Sequence, residues 1–239
     1  MFRIITMLIL LSISFEAYPA DIKSKLQAIL DKNTNSPVIT EVSSGSLDLS
    51  KDIYHLAFAV DKLKALWVYF VQEKCDGSIE LKESLEVGGT NSRTSWYLEI
   101  KKKFVFISFD SSGGCCSHSG ATYQLKMDNQ KNLFIVGYEG LSQGSGEGEL
   151  FYEDGVSVNL ATGDILKTHA EAKKIKLWSE SAYFQPVWRQ FKLLPPISTR
   201  TTRLHAKVNK KWNLKNVSSY DDEFYTWLIT NSSRRGNLN

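Results

Sequence analysis

The sequence predicts a mainly β fold of the α+β class: an antiparallel β meander with one helix near each end of the mature chain. Between about Val38 and Gly163, short segments rich in β-branched and aromatic residues alternate with turn residues. The connections between these segments are too short for crossover helices, which argues against a parallel βαβ sheet. Asp21–Lys32 and Ser219–Thr230 instead carry apolar residues at helical spacing.

The predicted strands follow each other at short intervals. They are Ile53–Val60, Ala65–Val71, Ser78–Val87, Ser95–Ile100, Phe104–Phe109, Ala121–Met127, Leu133–Tyr138 and Phe151–Leu160. The five residues Asp128–Asn132 are typical of a hairpin loop. The pattern is mixed between Lys167 and Leu194, and two prolines then interrupt the chain.

The length of 239 residues suits a single domain whose apolar residues suffice for a core. We divide the chain into a signal peptide (residues 1–20), an N-terminal helix (residues 21–36) and an antiparallel β domain (residues 37–194). A basic segment and a C-terminal helix (residues 195–239) are expected to pack on the same domain.

The N-terminus has the features of a secretory signal peptide. Arg3 precedes the mostly aliphatic run Ile4–Phe15, and Ala20 is the favoured cleavage site, with a cut a few residues away or a retained short anchor as alternatives. The run is too short to span a bilayer as a helix. We therefore expect a periplasmic or secreted protein with no transmembrane span in the mature chain.

The charge is mildly positive, with a formal net charge of +3. This balance weakly favours anionic partners. A basic run near the C-terminus either contacts an anionic surface polymer or an acidic protein, or is a solvated face. Its candidate surface-binding residues are Arg200, Arg203, Lys207, Lys210 and Lys211. The run matches no nucleic-acid-binding motif, so no nucleic acid partner is expected.

Two stretches resemble bacterial exported, β-rich proteins of uncharacterised function. Tyr123–Lys126 followed by Leu133–Tyr138 is similar to a hairpin of these proteins, and Ser157–Asp164 is similar to their Ser-x-Asn-x-x-Thr-Gly string. The resemblance covers roughly Ala121–Ile165. It implies a periplasmic β domain and supplies no catalytic residues.

Three cysteines are candidates for disulfide formation: Cys75, Cys115 and Cys116. An exported protein meets an oxidising compartment, so one disulfide is expected. The favoured pair joins Cys75 to Cys115 or Cys116, with a strained bond between the two adjacent cysteines as the alternative.

The same loop is a candidate metal site, because Cys115, Cys116 and His118 place two thiols and an imidazole within four positions. A further ligand from Cys75, His55 or Asp110 would be needed. A thiol nucleophile activated by His118 is a second possibility, and a Gly/Ser loop held by a disulfide is the structural alternative.

The string Gly140–Gly144 matches the Gly-x-Ser-x-Gly pattern of a nucleophile elbow. That motif requires a helix after the serine. Because glycines follow instead, the sequence predicts a flexible loop here.

No catalytic constellation assembles from these motifs. The sequence therefore favours a non-enzymatic binding or inhibitor/immunity-type envelope protein without a cofactor. Its partner would be an envelope or secreted protein, or an anionic surface polymer. The alternative is a small envelope enzyme or metal-binding protein that uses the Cys115/Cys116/His118 loop.

Overall fold

The computed structural model describes residues 20–32, 37–89, 94–112, 117–145, 150–173, 198–217 and 223–232. It confirms a mainly β fold with one helix near each end of the described chain. The elements are α1 (Ala20–Leu30), β1 (Val38–Gly45), β2 (Ile53–Val60), β3 (Ala65–Glu73), β4 (Ile79–Gly89), β5 (Thr94–Lys101), β6 (Phe104–Ser112), β7 (His118–Met127), β8 (Leu133–Ser145), β9 (Leu150–Asn159), β10 (Asp164–Lys173), β11 (Ser198–His205), a 3-10 helix (Leu214–Asn216) and α2 (Glu223–Ser232).

The strands form two antiparallel sheets. Strands β1 to β4 make a four-stranded sheet and β5 to β11 a seven-stranded one, each ordered as in the chain. The predicted meander is confirmed, but it is divided in two between β4 and β5. The predicted turn at Asp128–Asn132 is also confirmed, because the Asp128 side chain accepts hydrogen bonds from the backbone of Gln130 and Asn132.

The main core lies between the sheets. Alternate residues of β2 and β3, such as Leu56 and Phe70, pack against alternate residues of β6 and β7, such as Ile107 and Leu125, and all four are fully buried. Such alternation is what strands with one core-facing side require. The remaining side of the seven-stranded sheet is its outer face.

The four-stranded sheet is covered on its second face as well. Leu26 and Leu30 of α1 pack on Ile39, Ala57 and Ala59, which are all buried. The two sequence-predicted helices thus have different roles. While α1 covers the four-stranded sheet, α2 packs on the inner face of the seven-stranded one through its buried residues Phe224 and Leu228.

One ion pair links the β1–β2 connection to the β7–β8 turn. Lys131 donates to Asp48 and, at 2.9 Å, to the hydroxyl of Tyr54. Tyr54 in turn donates to Asp48 over 3.0 Å, and Ser50 donates to the same carboxylate. Burial raises the pKa of Asp48, but these hydrogen bonds outweigh it and lower the pKa to about 2.

Three strands were not predicted from the sequence: β1, β10 and β11. The string Gly140–Gly144 is also not a loop, because it lies within β8 and pairs with both β7 and β9. Gly140 is suited to this position, since a Cβ there would lie 2.8 Å from the Tyr138 hydroxyl and 3.1 Å from Val156 Cγ1. The string is therefore a strand segment that accommodates a tyrosine ring.

Candidate ligand-binding groove

The outer face of the seven-stranded sheet carries a row of side chains that crosses all seven strands. Each member lies directly opposite the next in the strand register. We call this row the outer band; it consists of Tyr97, Ser108, Thr122, Glu139, Ser157, Leu166 and Arg203. With about 4.8 Å between neighbouring strands, the band is about 29 Å long. Its length and its polar centre suit an extended ligand.

A groove of about 400 Å³ lies along the middle of this band. Its lining side chains on the outer face are contributed by β6 to β10. We call it the outer groove; these residues are Asp110, His118, Gly120, Thr122, Glu139, Leu141, Gly155, Ser157, Leu166 and Thr168. Gly120 and Gly155 flank Leu141 in the register and have no side chains to fill the depression.

Several polar groups of the outer groove have no partner among the described residues. The side chains of Glu139, Ser157 and Thr168 form no hydrogen bond or ion pair with any residue that the structure describes. By contrast, Ser108 and Thr122 share a hydrogen bond of 2.9 Å. Free donors and acceptors that converge on a concave surface are what a ligand site provides.

His118 Nε2 lies next to Asp110 Oδ1 at one side of the outer groove. The two residues face the same way across β6 and β7 near Gly120. The His118 side chain is only 10% exposed, whereas that of Asp110 is 37% exposed. An imidazole beside a carboxylate is an arrangement found in metal sites and in nucleophile-activating pairs.

A second cavity, of about 480 Å³, lies behind the outer groove on the inner face of the sheet. It is bounded by Tyr138 and Asp154 of the sheet and by Leu228 of α2. Two of its polar groups already have partners, because Lys167 donates to the Ser232 carbonyl over 2.8 Å and Asp154 contacts His169 at 2.7 Å. The outer groove is therefore the better candidate for ligand binding.

The predicted disulfide and metal site fall largely outside the described residues. Cys115 and Cys116 are not among them, and Cys75 is exposed within the β3–β4 turn. His118, the third residue of that prediction, lines the outer groove. Within the described part of the chain, no three histidine, cysteine or acidic residues form a group that could hold a metal ion. The disulfide stays a prediction, and so does the Cys115/Cys116/His118 metal site.

The five basic candidates are all exposed, yet the structure distributes them over different surfaces. Arg200 and Arg203 lie on opposite faces of β11. Lys210 lies over the Trp212 ring at 4.1 Å, and Lys211 lies over Phe134 at 4.7 Å. Of the five, Arg203 alone belongs to the outer band. A binding role for the rest, including Lys207, stays a prediction.

Sequence reasoning did not find the hydrogen-bonded set around His55. This imidazole is 3% exposed; Ser44 Oγ lies 2.6 Å from its Nδ1 and Glu73 Oε2 lies 3.1 Å from its Nε2. Burial lowers the pKa of His55 and outweighs the hydrogen bond to Glu73, which raises it. The set lies on the face that α1 covers, where Lys25 also approaches Glu73 at 3.8 Å. It satisfies the polar groups of a buried histidine.

A second histidine with two partners lies on β10, next to the edge strand of the seven-stranded sheet. His169 Nδ1 lies 2.7 Å from Asp154 and its Nε2 lies 3.1 Å from Glu171. The hydrogen bonds to Asp154 and Glu171 raise the pKa of His169. Ser198 of β11 donates to Glu171 over 3.3 Å, so the set joins the last three strands.

The predicted signal peptide, residues 1–20, lies outside the described residues except for Ala20. Neither of the helices that the structure describes has the length and apolar composition to cross a membrane. No protein-family model, no curated protein and no solved structure matches the chain.

Proposed function

We propose that this chain is an exported, non-enzymatic binding protein that holds an extended ligand across the outer band. The observation that carries the proposal is the outer groove, where Glu139, Ser157 and Thr168 present polar groups without partners among the described residues. Strands fix these groups in place, so little conformational freedom is lost when a ligand binds. The proposal of export is supported by the N-terminal run Ile4–Phe15 and by the resemblance over Ala121–Ile165.

The test is to probe a glycan array and a peptide array with the labelled mature chain and with two tryptophan variants. Ser157→Trp fills the outer groove, whereas Lys126→Trp places the same ring at an exposed outer-face position beyond the groove. Binding that is lost in Ser157→Trp and retained in Lys126→Trp supports the proposal, provided that both variants keep the wild-type melting temperature. Binding that survives in Ser157→Trp, or that is absent from both arrays in the wild type, contradicts it.

A second candidate is a small envelope enzyme or metal-binding protein centred on the Cys115/Cys116/His118 loop. It is favoured by the contact between His118 and Asp110, which places an imidazole and a carboxylate side by side at a concave surface. Thiol counting and metal analysis of the purified mature chain distinguish the candidates. One metal per chain that is lost in Cys116→Ser favours this function; two oxidised thiols and no metal favour the binding protein.

A further inference from the structure

We infer that the ligand of the outer groove is a linear glycan lying along the outer band, and that amino-sugar polymers bind more tightly than neutral or acidic ones. This inference rests on the proposed binding function and names its ligand class. Four properties of the outer face support it: its hydrogen-bonding groups, its apolar surface, its charge and its strand geometry.

The hydrogen-bonding groups match a polyhydroxylated ligand. Ser157 and Thr168 carry hydroxyls that both donate and accept, and the Glu139 carboxylate accepts through two oxygens. A carboxylate of this kind can accept from two adjacent sugar hydroxyls or from a sugar ammonium group. None of the three side chains has a partner among the described residues, so a ligand breaks no hydrogen bond between these side chains and the described part of the chain.

The apolar surface suits the C–H faces of sugar rings. Tyr97 is 55% exposed at one end of the outer band, and Leu166 is 37% exposed toward the other. Leu141 lies between them in the outer groove. An exposed tyrosine ring provides a large, rigid contact area, and its face also attracts a cation such as a sugar ammonium group.

The charge of the outer groove disfavours acidic polymers. Its lining includes the carboxylates of Asp110 and Glu139, whereas His118 is the lone basic residue among the described lining residues and already contacts Asp110. Arg203 lies at the far end of the outer band, next to Leu166 in the register. An anionic chain centred on Glu139 would meet repulsion, while an ammonium group would meet attraction.

The strand geometry favours a glycan over a peptide. Peptides that bind sheets commonly add as a strand to a free edge. The outer groove is lined by β6 to β10, each of which is hydrogen-bonded to strands on both sides. Binding there must use side chains. The strand spacing of about 4.8 Å is close to the length of one sugar ring, so neighbouring rings can meet neighbouring strands.

Isothermal titration with four hexasaccharides tests the inference: β-linked glucosamine, N-acetylglucosamine, glucose and galacturonic acid. We expect the glucosamine hexamer to bind most tightly.

Glu139→Gln should weaken binding of the glucosamine hexamer about tenfold, since the charge and the hydrogen bonds of the side chain both change. The matched control is Glu99→Gln, an exposed outer-face carboxylate beyond the groove that pairs with Lys101; it should change affinity by less than about twofold. Tyr97→Ala should weaken the glucosamine and neutral hexamers alike.

The inference is overturned if the galacturonic acid hexamer binds as tightly as glucosamine, or if Glu139→Gln and Glu99→Gln have equal effects. It is likewise overturned if the chain binds no hexasaccharide yet binds peptides in a manner that Ser157→Trp abolishes. In that case the proposed binding function stands. If no binding on either the glycan array or the peptide array is lost in Ser157→Trp, both the proposed binding function and the glycan inference are overturned.

Discussion

The two sheets differ in how many of their faces are covered. In β2, six consecutive residues, Tyr54–Ala59, are buried, because the main core covers one face of the four-stranded sheet and α1 covers the other. In β7, buried residues such as Tyr123 and Leu125 alternate with partly or fully exposed ones such as Thr122 and Lys126. The second pattern leaves the outer face without a covering element among the described residues. The four-stranded sheet is therefore buried on both faces, and the proposed ligand surface lies on the seven-stranded one.

The largest expected difference is between two leucines, one on the helix that covers the four-stranded sheet and one on the outer face of the seven-stranded sheet. Leu26 of α1 is 1% exposed, so Leu26→Ala removes buried methyl groups and leaves a cavity that costs about 2–5 kcal/mol. Leu166 in the outer band is 37% exposed, so Leu166→Ala should cost less than about 1 kcal/mol. Urea unfolding at neutral pH measures both. Equal costs would mean that the outer face is as tightly packed as the covered one.

The strands were not equally predictable from the sequence. β2 and β3 were predicted because continuous apolar, β-branched and aromatic residues indicate a strand by themselves. β10 has the sequence Asp164–Lys173, in which alanine and lysine each occur twice, and β11 is basic with few apolar residues. Both are strands because their neighbours offer a ladder of backbone hydrogen bonds, which is a tertiary effect that local composition does not reveal.

The residues of the candidate site could not be predicted for the same reason, because their grouping depends on how the strands pair. His118 was singled out for its nearness to two cysteines, while Glu139, Ser157 and Thr168 carry no local motif. They share a groove because strand register brings β7 to β10 together. Gly120 and Gly155 also carry no local motif, although both line the groove. A single sequence does not fix strand register, so these groups could not be grouped from the sequence.

A smaller effect is expected at the ion pair that joins the two sheets. Lys131→Met removes the cation that contacts Asp48, whose pKa is lowered to about 2 by hydrogen bonds from Lys131, Ser50 and Tyr54 in spite of burial. A lowered carboxylate pKa contributes stability above the ordinary value of 3.8, and this contribution is lost as the pH falls toward 2. Near neutral pH the variant should lose about 1–2 kcal/mol.

Urea unfolding between pH 2 and pH 7 measures this loss, and Lys101→Met is the matched control. Lys101 pairs with Glu99 at 3.1 Å, but both side chains are more than half exposed. Such surface pairs contribute little, so Lys101→Met should be nearly neutral at every pH. A Lys131→Met variant that loses no more stability than Lys101→Met would show that Asp48 and Lys131 do not hold the sheets together.

The smallest effects concern two histidines, one in each sheet, whose pKa values should move in opposite directions. Burial lowers the pKa of His55 below its usual 6.5, so its contribution to stability is present above pH 6.5 and is lost as the pH falls. Hydrogen bonds to Asp154 and Glu171 raise the pKa of His169. Its contribution is therefore present below pH 6.5 and is lost as the pH rises through the raised pKa.

NMR titration of the imidazole resonances, assigned with His55→Gln and His169→Gln, measures both values. Because His169 is 38% exposed, solvent screening limits its effect on unfolding to under about 1 kcal/mol. Should His55 titrate above its ordinary value of 6.5, its site would be open to water and α1 would not cover that end of the four-stranded sheet. The four-stranded sheet would then not be covered on both faces, and it would no longer differ in this respect from the seven-stranded sheet.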